Sequence, residues 1–302
     1  NSSFCSHGLN HMDWKSEGQE WPLNQFSRFC NVQPYNWHIQ DTNDPEKPIS
    51  LLIHGTGAST HSWHQLIPLL KESFRVIALD LPGHGFTKSK DHNRSSLNHM
   101  AHDIQSLLTT ERLQPKIIIG HSAGAAIAFR LALDAKQQVE GVVAINGVLD
   151  HYFSGLSSIF YPIAAKALAM NPLAAPFFAK INEFTNQTQR LTKMTGSKID
   201  DETLGHYNKL FSDPKHLAGT LAMMSQWKLQ GLNHDLRNFT KQSLFLIGKN
   251  DKMVAENSLI KYAQKLENSE IIVEGGLGHL MHEESPKKIF EHVMSFYNKI
   301  KN

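Results

Sequence analysis

Cysteine is almost absent: Cys5 and Cys30, both in the N-terminal tenth, are the only two in 302 residues. A bridge between them would leave the rest of the chain unstapled, so disulfides do not carry this fold and a reducing compartment is expected. An excess of one charge is missing too. The 30 Lys and Arg nearly balance the 28 Asp and Glu, giving a formal net charge of +2. That excludes the concentrated basic face of a nucleic-acid binder. Long apolar runs are also lacking. The first fifteen residues hold nothing of signal-peptide type. The most apolar stretch, residues 152–179, is broken by Pro162, Lys166, Pro172 and Pro176, which argues against a membrane span. A cytoplasmic protein with no transmembrane segment and no nucleic-acid partner is the expectation.

Cofactor signals are sparse. There is no Gly-rich Lys-Ser/Thr loop for a nucleotide. The i, i+3 pairs His61/His64, His99/His102 and His279/His282 lack the carboxylates of a zinc site and read as surface or packed histidines. No metal and no other cofactor is expected.

What the sequence does contain is alternation. Residues 49–54, 75–80, 116–120, 139–145, 243–248 and 270–273 are short apolar runs that read as buried strands. Helical patterns over 62–73, 97–113, 124–135 and 255–266 separate several of them, and 286–299 suits a closing helix with Pro286 in its first turn. Residues 26–32 and 35–41 read as a preceding antiparallel hairpin. This predicts an α/β fold, a mostly parallel sheet with helices on both faces.

One insertion interrupts the rhythm. From residue 147 to 242 the patterns are helical, and a structureless loop of that length is implausible in a compact domain. A helical cap over 148–239 is predicted, on a core formed by 1–147 and 240–302. Phe160, Leu168, Met170, Phe177, Phe178, Met223, Met224 and Trp227 would supply its apolar interior. Its underside would roof the strand ends, with residues 152–227 acting as a mobile lid.

The chemistry centres on Gly120-His121-Ser122-Ala123-Gly124, a G-x-S-x-G that follows a strand and opens an Ala-rich helix. In that context it predicts a nucleophile elbow, with small residues where larger ones would clash with the adjoining strand and helix. Ser122 needs a base, and His279, after the last strand, is the candidate among 18 histidines. Asp251, after the strand at 243–248, is the predicted orienting acid in the order Ser…Asp…His, with Asp150 as the alternative. A tetrahedral intermediate needs donors aimed at its oxyanion. The backbone N–H of Ala123 and that of Thr56, in His54-Gly55-Thr56-Gly57, are predicted to provide them, with Gly57 the alternative to Thr56. Gly57, His121, Met223, Met224 and Trp227 are candidate substrate contacts. His84, in the turn after residue 80, reads as structural.

Together these segments resemble the α/β-hydrolase superfamily, and more specifically the magnesium-chelatase accessory proteins encoded with bacteriochlorophyll synthesis genes. The specific resemblance rests on Trp21-Pro22, Ser27-Arg28-Phe29, His54 to Trp63, Leu81 to Thr87, Gly120 to Ala126 and Gly276 to Glu284. Inside the insertion it extends to Asn171-Pro172-Leu173, Thr195-Gly196-Ser197 and Met223-Met224. The resemblance implies the α/β-hydrolase fold, a Ser-Asp-His triad and a magnesium-chelatase subunit as partner. The residues themselves point to hydrolysis of an ester or related acyl bond in an apolar small molecule. Carbon–carbon hydrolysis or perhydrolysis could use the same three residues, and a binding protein for a tetrapyrrole or a chelatase subunit is the non-catalytic alternative. Haloalkane dehalogenase and epoxide hydrolase chemistry would need Asp where Ser122 stands.

Overall fold

The computed structural model describes residues 12–134, 138–149, 171 and 187–301. Cys5, Asp150, Phe160, Leu168, Met170, Phe177 and Phe178 lie outside the described residues, as does much of the predicted cap.

Eight strands form one sheet: β1 Ser27–Val32, β2 Tyr35–Asp41, β3 Ile49–Ile53, β4 Arg75–Leu79, β5 Pro115–His121, β6 Gly141–Ile145, β7 Gln242–Gly248 and β8 Ser269–Glu274. Their order is β1-β2-β4-β3-β5-β6-β7-β8. β1 and β2 make the antiparallel hairpin and β2 joins β4 antiparallel; every later pairing is parallel. The central strands are near-continuous aliphatic runs because both faces are covered. Leu51, Ile53, Ile77, Ile118 and Val142 pack under one helical layer, and Leu52, Val76, Ala78, Ile117, Ile119 and Val143 under the other.

Helix Leu97–Thr110 shows how the sequence chooses a face. Leu97, Met100, Ala101, Ile104, Leu107 and Leu108 recur at helical spacing and are buried, and Ser96 caps its N-terminus by accepting from the His99 N–H. The closing helix Pro286–Ile300 buries Ile289, Val293, Phe296 and Tyr297 on the opposite side of the sheet. The helix expected over 62–73 is instead a 3-10 turn, Thr60–Trp63, followed by the short helix Ile67–Leu70. Pro68 explains the break, since it has no N–H to continue a ladder from the preceding turn and suits the first turn of a new helix.

Between β6 and β7 the described residues form helices Gln187–Thr195, Asp201–Ser212, Pro214–Gln226 and Gln230–Asp235. Asp200 and Asp213 cap two of them, through the N–H groups of Thr203 (2.7 Å) and Lys215 (2.9 Å). The first three of these helices lie above the loops at the C-terminal ends of β3, β5, β7 and β8, where open α/β sheets place their ligand sites. Among the described residues no helix is long and apolar enough to cross a membrane.

Candidate active site

Ser122 stands between β5 and helix Ala123–Leu133 at φ 55°, ψ −121°. A side chain in that region costs roughly 1–3 kcal/mol and persists only where its surroundings enforce it. Here they do. The Ser122 N–H donates to the Ile145 carbonyl (3.0 Å), and its own carbonyl accepts from Val148 (2.9 Å). The flanking glycines leave no alternative: a Cβ on Gly120 would sit 2.6 Å from the Ala125 Cα, and one on Gly124 would run into the carbonyl oxygens of Ile53 and His54.

His279 Nε2 lies 3.0 Å from Ser122 Oγ, and its Nδ1 lies 2.7 Å from Asp251 Oδ2. The other Asp251 oxygen accepts from the N–H groups of Met253 (2.7 Å) and Val254 (3.0 Å), which fixes the carboxylate plane. The Asp251 and His279 side chains are 1% and 4% exposed, so this chain of contacts is shielded from water. The structure thus brings the three residues expected from sequence into one line. Asp150 lies outside the described residues.

The backbone of His279 is fixed as well. Its carbonyl accepts from His121 Nε2 (2.9 Å) and Asn146 Nδ2 (3.0 Å), while Asn146 Oδ1 accepts from the Gly248 N–H (2.8 Å). Its own N–H donates to the Thr195 carbonyl (2.9 Å). Asn146 is not among the residues expected from the sequence. The available signal was an Asn closing a central strand: it sits at φ 44°, a region that Asn tolerates better than most residues.

Thr56 and Gly57 follow β3 and share a cavity wall with Ala123. The loop is packed so closely that a Cβ on Gly55 would lie 2.9 Å from the Ser122 Cβ. Two buried histidines hold it. His54 donates from Nδ1 to the Gly55 carbonyl (2.7 Å) and accepts the Leu81 N–H at Nε2 (2.9 Å). His216, from helix Pro214–Gln226, donates from Nε2 to the Gly57 carbonyl (3.0 Å) and accepts the Gly85 N–H at Nδ1 (3.0 Å). Each bridge needs a neutral ring, and burial favours one: it lowers the His54 pKa and brings that of His216 down to about 4. His216 carried no sequence signal that set it apart from the other histidines. His84 is buried in its turn, 3.2 Å from the Pro82 carbonyl.

The cavity over Ser122 has a volume of about 300 Å³. Gly57, His121, Met224 and Trp227 line it as expected, together with Val148, Leu191, Met194, Phe211, Leu229, Met253 and Leu280. Met223 does not. It is fully buried in the core and takes the Thr56 hydroxyl as a donor to its sulfur (3.4 Å), because helix Pro214–Gln226 turns that position toward the sheet rather than the cavity. No Lys, Arg, Asp or Glu occurs among the described lining residues. Among the described residues no cluster of three His, Cys, Asp or Glu could hold a metal ion.

Behind the cavity wall lies a second buried polar group. Glu283 Oε1 accepts from Ser62 Oγ (2.5 Å) and Tyr207 OH (2.6 Å), and Ser62 Oγ is also 2.8 Å from His282 Nε2. Burial pushes the Glu283 carboxyl up to about 8, against the lowering pull of the Ser62 and Tyr207 hydrogen bonds. Burial likewise brings His282 down to about 3.

Residues 50–286 match the alpha/beta hydrolase fold family. The chain is 38% identical to the magnesium-chelatase 30 kDa subunit of Rhodobacter capsulatus over 272 residues, covering 90% of this chain and 94% of that one. Among solved structures it is similar to a haloalkane dehalogenase loop variant from Bradyrhizobium elkanii, with a TM-score of 0.74 at 19% identity over 91% of this chain and 97% of the other. A membrane phospholipase A has the same TM-score at 21% identity, over 91% of this chain and 86% of its own. At such identities the two structures speak for the fold alone.

Proposed function

The chain belongs to the alpha/beta hydrolase fold family, and from that premise we propose that it is a serine hydrolase cleaving an ester or related acyl bond of an apolar small molecule. The observation that carries this reading is the Ser122–His279–Asp251 line, with contacts of 3.0 and 2.7 Å, anchored on a backbone that the glycines of the elbow permit. In this reading Ser122 Oγ attacks the acyl carbon while His279 Nε2 takes its proton. Asp251 holds the imidazole tautomer and stabilises the imidazolium without accepting the proton itself. The N–H groups of Ala123 and Thr56 receive the charge that develops on the carbonyl oxygen. His279 then protonates the leaving group, and water, activated by the same nitrogen, releases the acyl group from Ser122.

The apolar cavity, without a charged side chain among its described lining, supports a neutral acyl group. The inserted helices serve as the cap that excludes water from the intermediate. The test is labelling with a fluorophosphonate, followed by intact mass and by the Ser122→Ala variant. One phosphonyl adduct on the native protein and none on the variant is expected; equal labelling of both would overturn the assignment.

A second reading is supported by the relative from Rhodobacter capsulatus, which is named as a chelatase subunit. In it the chain assists magnesium chelatase in the cytoplasm and the cavity holds a tetrapyrrole or a hydrophobic portion of one. The uncharged lining favours the acyl reading, since tetrapyrrole carboxylates call for cationic partners. Saturable binding of a porphyrin that survives Ser122→Ala and blocks labelling of the native protein would favour this alternative.

A further inference from the structure

We propose that Thr195-Gly196-Ser197, the segment leaving the inserted helix Gln187–Thr195, is a positioning element that sets His279, with Ser197 as its key side chain; the inference rests on the hydrolase reading above. The last carbonyls of a helix have no partner within the helix. Thr195 supplies such a carbonyl, and it accepts from His279 (2.9 Å) and, more loosely, from Lys252 (3.4 Å), one residue beyond Asp251. A single oxygen of the insertion therefore spans the loops that carry base and acid.

Ser197 makes the link specific. Its Oγ accepts the N–H of Leu280, the residue after His279, at 2.8 Å. Its own N–H is fixed by Thr195 Oγ1 (3.1 Å), which in turn donates to the Leu191 carbonyl (2.6 Å). Gly196, at φ +73°, lets the chain press against the other two loops: a Cβ there would run into the Asn250 carbonyl, and one on Gly278 would lie 2.5 Å from Ser197 Oγ. Two consecutive amides, those of His279 and Leu280, hang from the insertion, while the His279 carbonyl is held from the sheet side by His121 and Asn146. The base is suspended between two bodies.

The same helix reaches the cavity. Leu191 and Met194 line the cavity, so an acyl group filling it presses on the helix whose end carries these bonds. Occupancy of the cavity and alignment of His279 are thereby coupled, as in enzymes where closure completes the reactive constellation.

The test uses the full chain with a p-nitrophenyl ester and a fluorophosphonate. Ser197→Ala is expected to lower kcat and the labelling rate about tenfold while changing KM less than about threefold, and Ser197→Thr, which keeps the acceptor oxygen, to restore most of the loss. In Ser197→Ala, hydrogen exchange in the segment 277–284 should quicken while that of β5 stays unchanged, and a saturating phosphonate should slow it in the native protein. An unchanged kcat in Ser197→Ala, a loss that Ser197→Thr does not rescue, or unchanged exchange at 277–284 would each overturn the proposal. If the native protein takes no phosphonate at all, the hydrolase reading has failed; exchange at 277–284 in Ser197→Ala then decides the positioning role by itself.

Discussion

The hydroxyl of Tyr207, on helix Asp201–Ser212, donates to the carboxyl of Glu283 at 2.6 Å and so ties the inserted helices to the core at a buried acid. Burial raises Glu283 from its ordinary 4.5 to about 8. Between those values the native protein holds a proton that the unfolded chain has released, so stability falls as pH rises through that interval. Buried histidines act in the opposite direction. His216 and His282 are brought from 6.5 to about 4 and about 3, so the unfolded chain gains protons before the native one and stability is lost as pH falls below about 6.5. The melting temperature should therefore peak near neutrality and decline toward pH 8. Glu283→Gln should remove that alkaline decline. Melting curves from pH 5 to 9 decide it, and an alkaline limb that persists in the variant would refute the assignment.

Asp251→Asn should leave the melting temperature nearly unchanged, since an amide oxygen can still accept from Met253 and Val254. Its amide nitrogen would then face His279 Nδ1 and force the other tautomer, taking the base away from Ser122. A loss of kcat on the order of 10⁴ is expected. Activity within tenfold of the native protein would mean that another group orients the imidazole.

Most of this arrangement was legible in the sequence for a physical reason. Parallel strands buried on both faces must be short and aliphatic, and the elbow must be built of small residues, so Ile117 to Gly124 announced themselves. His279 and Asp251 were legible because chain order places them after the last two strands. Asn146 and His216 were not, and Ser197 stood out only as part of the shared motif Thr195-Gly196-Ser197, with no role attached. Each acts by hydrogen bonding to backbone groups distant in sequence, which leaves no periodicity and no spacing to read. Helical spacing alone does not reveal which member of the pair Met223-Met224 faces the sheet: Met223 lies in the core and Met224 lines the cavity.

The two glycines Gly124 and Gly205 should respond oppositely to alanine. At Gly124 a Cβ would collide with the carbonyl oxygens of Ile53 and His54, which belong to β3 and its following residue and cannot withdraw. Gly124→Ala is expected to cost more than about 3 kcal/mol and to abolish labelling of Ser122. At Gly205, inside helix Asp201–Ser212, nothing lies within 4 Å of the added atom. Gly205→Ala should stabilise by roughly 0.5–1 kcal/mol through helix propensity. Chemical denaturation of both variants measures the contrast, and similar midpoints would show that the elbow has more slack than its geometry indicates.

His216→Phe should separate chemistry from binding. The substitution keeps an aromatic ring beside Phe211 but leaves the Gly57 carbonyl and the Gly85 N–H without their partner. Each unsatisfied buried group costs about 1–3 kcal/mol, so the loop is expected to relax and carry the Thr56 N–H away from the developing oxyanion. kcat should fall by about 10²-fold with KM little changed. A rise in KM at constant kcat would instead make His216 a wall of the pocket.

Acyl-chain selectivity follows from what lines the cavity. Val148, Leu191, Phe211, Met224, Trp227 and Leu229 surround the approach to Ser122. Each methylene that leaves water for such a wall contributes about 0.8 kcal/mol, which is roughly fourfold in kcat/KM if the contact is held in the transition state. A series of p-nitrophenyl esters should therefore rise steeply from acetate and level off when the chain fills the space. Phe211 should set part of that limit: its ring stacks on Tyr207 at 16° and would lie 3.2 Å from a Cβ at Gly57, filling the region beside the predicted oxyanion loop. Phe211→Ala removes that ring and should shift the plateau to longer chains while weakening the shorter ones, which lose a wall. The check is log kcat/KM against acyl carbon number for both proteins. A flat series with acetate as good as any ester would exclude an apolar acyl pocket, and a plateau that stays in place in Phe211→Ala would remove Phe211 from its boundary.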